Sequence, residues 1–158
     1  MQVVETIYMS WVSKIFFFYI MIMSSSMSFA EDSYYLTLRN DKVNLRQGPS
    51  LNYPVKLVYK KKFLPILIQD KSGNFRKTLD HENNSGWIHV SQLSKKKAAL
   101  NNFDEAIIFQ KPSIYSRPLA KLEMGRLCLV KKCKNNWCKI QTGNFSGWIE
   151  KQNLKGRL

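Results

Sequence analysis

Downstream of residue 33, apolar and polar residues alternate in short runs that are separated by turn-forming residues. Alternation with a period of two places every second side chain on one face, which is typical of a half-buried β-strand. In the first half of the chain, such runs occupy residues 34–38, 43–46, 54–58, 63–68, 75–79 and 86–90. No run has the spacing of an amphipathic helix, so the pattern predicts a small all-β fold.

The sequence Ser-Gly-Trp-Ile occurs twice, at residues 85–88 and again at 146–149. Each copy is followed at the same distance by a leucine, Leu93 and Leu154, so the chain contains a duplicated unit. The glycine permits a close approach of two backbones or a positive φ, and the Trp-Ile pair begins a strand with a large apolar area. We predict two similar cores, with two similar ligand sites as the alternative. The predicted core residues of the motif are Trp87, Ile88, Trp148 and Ile149.

Residues 1–30 have the composition of a cleavable secretory signal. Lys14 precedes an apolar run at residues 15–23, and the small residues Ser28 and Ala30 take the −3 and −1 positions of a cleavage site. The run is far shorter than the ~20 residues that span a bilayer. We therefore expect a periplasmic or secreted protein, with an uncleaved membrane anchor as the alternative.

The chain is strongly basic, with a formal net charge of +14. The surplus is evenly spread, since residues 31–101 contain 13 Lys/Arg and 6 Asp/Glu, and residues 102–158 contain 11 and 4. Such a charge attracts polyanions. Nucleic acid fits the charge, but the export signal argues against it, which leaves anionic lipid or lipopolysaccharide. A general enrichment in lysine and asparagine explains the same charge without any partner.

All three cysteines, Cys128, Cys133 and Cys138, lie in the second unit. The pair Asn135-Asn136 suits a two-residue hairpin turn with positive φ, which places Cys133 opposite Cys138. In such a pair the Cα atoms lie about 4.5 Å apart, within reach of a disulfide. We therefore predict a Cys133–Cys138 bond in an oxidising compartment, with Cys128 as a buried free thiol on the other strand face.

The same hairpin places Trp137 on the face opposite the disulfide, in line with Lys132 and Lys139. An aromatic ring flanked by lysines is suited to stacking on a sugar or a peptide. Phe75 takes the matching place in the first unit. These four residues are candidate ligand contacts, and the alternative is a surface tryptophan covered by lysine stems.

The segment Asn44-x-Arg46-x-Gly48-Pro49-Ser50, followed by Pro54-Val55 and later by Gly86-Trp87-Ile88, resembles the bacterial SH3-like domain family. The second copy, at residues 107–113, keeps only the Pro-Ser end of this signature. The resemblance implies an all-β chain of two consecutive five-stranded SH3-like barrels, and it makes Arg46 and Tyr53 candidate ligand-binding residues. The implied boundaries are 1–30 for the signal peptide, 31–95 for the first barrel, 96–102 for a short basic linker and 103–158 for the second barrel.

Neither unit contains a recognisable catalytic constellation. His81 and His89 lie in the first unit and the cysteines in the second, which disfavours a zinc site. We therefore expect no enzyme activity, no metal and no cofactor. The resemblance implies a binding module of the cell envelope whose partner is peptidoglycan or an envelope protein. The alternatives are a cationic adaptor for anionic lipid or lipopolysaccharide and an accessory subunit of an envelope enzyme.

Overall fold

The computed structural model describes residues 33–158. The predicted signal peptide and its cleavage site after Ala30 lie outside this range. Within the described range, no helix has both the length and the apolar character needed to cross a membrane.

The first half of the described chain is a seven-stranded antiparallel sheet in the order β3-β2-β6-β5-β4-β1-β7. A single 3₁₀ turn, Val90–Gln92, precedes the last strand. The predicted all-β class is confirmed, and each alternating run of the sequence corresponds to a strand. The strands are β1 Tyr34–Leu38, β2 Val43–Arg46, β3 Val55–Tyr59, β4 Pro65–Ser72, β5 Phe75–Leu79, β6 Ser85–His89 and β7 Leu93–Ser94.

The second half repeats this arrangement strand for strand, in the order β10-β9-β13-β12-β11-β8-β14. We call residues 34–94 the first barrel and residues 98–157 the second barrel. The strands of the second are β8 Ala98–Asn101, β9 Ala106–Phe109, β10 Pro118–Leu122, β11 Leu127–Lys134, β12 Trp137–Thr142, β13 Phe145–Glu150 and β14 Leu154–Arg157.

The boundary predicted between the two units needs a correction. Residues 96–102 are not a linker throughout, because β8, Ala98–Asn101, pairs with both β11 and β14 and is buried along its whole length. β8 takes the place in the second sheet that β1 has in the first. The second barrel therefore begins at Ala98, and each sheet has seven strands where the resemblance implied five.

Each sheet encloses a core of its own, built from the inward positions of its strands. The first core contains Leu38, Val43, Leu45, Ile66, Ile68 and Ile88. The second contains Ala106, Ile108, Leu122, Val130, Ile140 and Ile149. Burial of these aliphatic side chains is the main favourable contribution to the stability of each barrel.

The prediction that Trp87 and Trp148 belong to the core is wrong, whereas Ile88 and Ile149 are fully buried as predicted. Both tryptophans are half-buried. The reason is the period of two along a strand. Trp148 lies between the buried residues Gly147 and Ile149 in β13, so its side chain extends from the outer face of the sheet.

The glycine of the repeated motif allows two backbones to approach closely. A Cβ on Gly147 would lie 2.6 Å from the carbonyl oxygen of Phe109, and a Cβ on Gly86 would lie 2.7 Å from that of Arg46. Neither glycine has a positive φ. The glycine of the motif therefore allows β6 to lie close to β2 in the first barrel and β13 to lie close to β9 in the second.

Side chains of the second barrel join it to the first. Arg157 donates from Nε to the carbonyl oxygen of Lys95 and from Nη1 to that of Tyr35, both at 3.0 Å. Leu100 and Leu127 of the second barrel pack against the first core. Burial of these leucines ties the second barrel to the first.

A candidate ligand-binding face on the second barrel

Four strands of the second barrel carry a row of large side chains on their outer face. The register places Phe109 of β9 opposite Trp148 of β13, Trp148 opposite Lys139 of β12, and Lys139 opposite Lys132 of β11. Trp137 lies two residues before Lys139 and shares its face. We call these five residues the aromatic–lysine face.

The rings of this face contact one another and a lysine. Trp137 and Phe109 meet edge to face, with ring centroids 5.7 Å apart and an interplanar angle of 84°. The Nζ atom of Lys132 lies 5.8 Å from the centroid of the Trp148 ring, a cation–π distance. All three rings are half-buried, so each is held in place and still exposes part of its surface.

The two lysines of the face carry uncompensated charge. Lys132 and Lys139 lie directly opposite each other, an arrangement that destabilises a sheet. Neither forms an ion pair within residues 33–158. The nearby carboxylate of Glu150 accepts a hydrogen bond from Gln152 at 2.6 Å. An anionic group of a ligand bound beside the two lysines would relieve their repulsion.

A groove of about 620 Å³ adjoins the face at Trp137. Its walls come from the hairpin turn, the end of β13 and the following 3₁₀ turn, Lys151–Asn153. The residues that line it with Trp137 are Asn136, Glu150, Lys151, Gln152, Leu154 and Leu158. The groove extends the face by polar groups that can hydrogen-bond to a bound sugar or peptide.

A disulfide fixes the hairpin that carries Trp137. Cys133 and Cys138 are bonded, as the sequence predicted, and Asn135 in the turn has a φ of 51°. Cys128 is a buried free thiol. Burial raises the pKa of the Cys128 thiol to about 11, so the buried group stays protonated near neutral pH.

The first barrel uses the corresponding positions differently. Phe75 lies opposite His89, as Trp137 lies opposite Glu150. However, Phe75 is only 7% exposed, and its ring packs edge-on against the His89 ring at 5.1 Å. The prediction that Phe75 contacts a ligand is therefore wrong, because its ring is already covered by its own barrel.

Arg46 is the last residue of β2, and Tyr53 belongs to the loop that follows this strand. Arg46 donates from Nη1 to the carbonyl oxygens of Leu51 at 3.1 Å and Tyr53 at 2.7 Å. A Cβ on Gly48 would lie 2.6 Å from the Tyr53 ring. The arginine and glycine of the signature thus hold the loop, and a role for Arg46 in ligand binding stays a prediction. Tyr53 remains 47% exposed, and its role as a ligand contact stays a prediction.

The loop after β5 in the first barrel is organised by a buried carboxylate. Asp80 accepts hydrogen bonds from the amides of Glu82 and Asn84, from the Asn84 side chain and from the Tyr59 hydroxyl. Burial by itself would raise the pKa of Asp80, but these hydrogen bonds outweigh it and hold the pKa below its ordinary value. Burial and the neighbouring Asp80 raise the pKa of Tyr59.

The histidines take part in local contacts. His81 lies beside Glu82, and His89 Nδ1 lies 2.8 Å from the Ser91 hydroxyl. Among residues 33–158, no three side chains of the metal-binding types converge on a common point.

The sequence identified three of the five residues of the face, Trp137, Lys132 and Lys139. It missed Phe109 and Trp148. Strand alternation would have found both, because each is the outward neighbour of a buried isoleucine, Ile108 or Ile149. Trp148 was instead predicted to lie in the core because its side chain has a large apolar area.

Comparison with known proteins places the chain in a family. Two solved structures, NlpC2 and NlpC1 from Trichomonas vaginalis, match with 14% and 15% identity and a TM-score of 0.36 each. The alignments cover 80% and 86% of this chain but 49% and 50% of those proteins, so the chain spans about half their length. None of the curated proteins matches significantly. The bacterial SH3 domain family matches residues 39–95 and 103–156, and the chain therefore belongs to this family, with two copies of the domain.

Proposed function

We propose that this protein is a non-catalytic binding module of the bacterial cell envelope and that the aromatic–lysine face of the second barrel holds its ligand. The observation that carries the proposal is the placement of three rings, Phe109, Trp137 and Trp148, on the outside of a barrel that already has a complete core. Large aromatic side chains outside a core are typical of binding surfaces.

The preferred ligand is peptidoglycan, with an envelope protein as the other possibility. Aromatic rings stack on the apolar faces of sugars, and lysines attract carboxylates such as those of the peptides that peptidoglycan carries. The face offers both kinds of group within one row of four strands. In the first barrel, Phe75 takes the place of Trp137 and is covered, and Arg46 takes the place of Phe109 and holds a loop. Binding is therefore assigned to the second barrel.

Export and the lack of catalysis belong to the same proposal. The basic, apolar and small residues of segment 1–30 support cleavage between Ala30 and Glu31. Mass spectrometry of the exported protein tests this, and an intact amino terminus would contradict it. In the part of the chain that the structure describes, the free thiol of Cys128 is buried and lies 3.6 Å from the carbonyl oxygen of Arg126, and no hydrogen bond joins it to a histidine.

A second candidate function is a cationic adaptor for anionic lipid or lipopolysaccharide. The observation that favours it is the opposed pair Lys132 and Lys139, which has no acidic partner among residues 33–158, in a chain of net charge +14. In this case charge alone carries the binding, and rings contribute little.

Co-sedimentation with purified sacculi at two salt concentrations separates the two functions. Raising salt from 0.1 to 1 M shortens the Debye length from ~10 Å to ~3 Å, so charge-driven binding falls steeply. Binding that largely survives 1 M salt and is lost in Trp137→Ala supports recognition by the rings. Binding that disappears at 1 M salt and is unchanged in Trp137→Ala supports the adaptor, and no binding at either concentration contradicts peptidoglycan as the ligand.

A further inference from the structure

A second candidate site lies between the two barrels, away from the aromatic–lysine face. It is a cleft of about 200 Å³ that shares no lining residue with that face. Tyr35, Leu67 and Leu79 of the first barrel line one side, and Leu100 and Met124 of the second barrel line the other. The hydrogen bonds of Arg157 across the junction hold the two sides together.

The side of the cleft that the first barrel forms is an apolar row on the outer face of that barrel. Tyr35, Leu67 and Leu79 lie directly opposite one another on β1, β4 and β5. Leu67 lies between the inward residues Ile66 and Ile68, so the row extends from the outer face of the sheet. Strands β1 and β4 also contact β14, so the apolar row lies next to the packed junction between the two barrels.

The second barrel does not repeat this apolar row. Its register places Leu129 opposite Gln141, where the first barrel has Leu67 opposite Leu79. Gln141 is exposed, whereas Leu79 is half-buried. The apolar character of the row is therefore confined to the first barrel, and glutamine occupies the equivalent strand position in the second.

The rim of the cleft carries side-chain amides with free hydrogen-bonding capacity. Those of Asn83 and Asn102 form no hydrogen bond with any other residue in the described range. The neighbouring amide of Asn101, in contrast, donates to three backbone carbonyl oxygens at 2.7 to 3.2 Å. Asn101 is thus structural, whereas the other two amides are available to a ligand.

We propose that the cleft binds an extended peptide segment by enclosing one large apolar side chain of that segment. Asn83 and Asn102 then hydrogen-bond to the peptide backbone on either side, because an amide side chain both donates and accepts as a peptide group does. Asp80 and Lys155 both line the cleft; because the Asp80 carboxylate already accepts hydrogen bonds from Tyr59 and Asn84, Lys155 is the charged group available to an acidic residue next to the enclosed one.

The size and chemistry of the cleft argue against other ligand classes. Whole small molecules occupy pockets of about 300–1,000 Å³, so this cleft suits a single side chain of a larger ligand. A sugar would place most of its hydroxyl groups against Leu67, Leu79 and Leu100, where the two amides at the rim could hydrogen-bond to only some of them. Met124, which is 62% exposed, can adapt to side chains of different shape. With the face proposed above, the protein would then join a polymer of the envelope to a protein.

The first test uses N-acetyl-leucinamide as the probe and ¹⁵N-labelled protein. We expect saturable shifts of the amide signals of Leu79, Asn83, Asn102 and Gly125, with a dissociation constant in the millimolar range typical of about twelve heavy atoms. N-acetyl-alaninamide should bind at least about tenfold more weakly, because it lacks three apolar carbons. Equal shifts with both probes, or no saturable shift up to about 20 mM, would overturn the proposal.

Variants locate the binding in the cleft. Leu79→Gln should abolish the shifts, and Asn102→Ala should weaken binding at least about threefold. Trp137→Ala should leave the leucinamide shifts unchanged, so that failure of the aromatic–lysine face and failure of the cleft are distinguished. If Leu79→Gln disturbs the fold, Asn102→Ala decides alone, because its side chain has no partner within residues 33–158. Unchanged affinity in Asn102→Ala would then overturn the proposal.

Discussion

Trp137 and Phe109 meet edge to face at 5.7 Å on the outside of the second barrel, whereas the first barrel has Phe75 and Arg46 at the corresponding positions. Phe75 is buried within its own barrel and packs against His89, and Arg46 donates hydrogen bonds to the loop that follows β2. The two copies of one repeat therefore share a backbone and differ in what their outer faces offer to a ligand.

The first prediction concerns Trp137→Ala. Removal of an interfacial tryptophan costs about 2 kcal/mol or more, so sacculus binding should fall at least about tenfold. The melting temperature should change little, since the ring lies outside the core. Trp87→Ala, which removes a half-buried outward tryptophan from the first barrel, is the matched control and should retain binding. Equal losses in both variants would contradict the assignment to the second barrel.

The second prediction is that Lys139→Gln weakens binding and slightly stabilises the fold. The variant removes a like-charge repulsion with Lys132, worth about 0.5 kcal/mol. Lys77→Gln is the control, because Lys77 lies opposite Asp70 in the first barrel and its loss should destabilise slightly. Urea unfolding measures both signs. A destabilised Lys139→Gln protein would show that the two lysines do not repel.

The third prediction distinguishes two reasons for a glycine, namely lack of space for a side chain at Gly147 and a positive φ at Gly143. Gly147→Ala should cost at least about 2 kcal/mol, because the new Cβ meets the carbonyl oxygen of Phe109 at 2.6 Å and this backbone atom cannot move cheaply. Gly143 has a φ of 52° with open space around it. Gly143→Asn should therefore be nearly neutral, since Asn tolerates this conformation and Asn135 already adopts it. Equal costs in thermal unfolding would contradict this view.

The fourth prediction is a loss of stability in acid that depends on Asp80. Its pKa in the folded state lies below the ordinary value of 3.8, so its contribution is complete above that value and is lost as pH falls through the lower folded-state pKa. Asp80→Asn should lose about 1–3 kcal/mol at pH 7, and the gap to the unsubstituted protein should narrow as the pH falls below the ordinary value. Melting curves at several pH values test this, with the exposed Asp41→Asn as control. A constant gap would contradict the prediction.

The fifth prediction concerns the thiols. Under denaturing, non-reducing conditions one cysteine, Cys128, should react with a thiol reagent, and in the native protein none should, because Cys128 is buried and its pKa is raised to about 11. Reduction of Cys133–Cys138 should cost about 2 kcal/mol, as expected for a small closed loop. Labelling of three cysteines in protein from its native compartment would rule out the bond.

Strand alternation and turn chemistry sufficed to predict most of the fold. The repeat, the hairpin at Asn135 and the disulfide follow from local geometry alone. β8 escaped prediction because Ala98–Asn101 is buried on every residue, which hides alternation, and because three lysines precede it. The outward tryptophans escaped because the large apolar area of an indole suggests a core, whereas its direction is set by the isoleucine beside it.

The cleft also could not be predicted from the sequence. It requires Leu79 of one barrel and Met124 of the other to be brought together, and no local pattern encodes a contact between distant segments. The difference between Leu79 and Gln141 was visible in the sequence, but it acquires meaning only once the register shows that the two residues are equivalent.

The hydrogen bond between Arg157 and Tyr35 joins positions 122 residues apart. Closing so long a loop is entropically more costly than forming any of the hairpins, and contacts of high sequence separation form slowly. Among the strands of the two barrels, β14 comes last in the chain, so the first barrel emerges from the ribosome before the strand that completes the junction exists. The cleft is thus a product of late assembly, and a peptide that bound there as proposed above would select chains in which both barrels have finished folding.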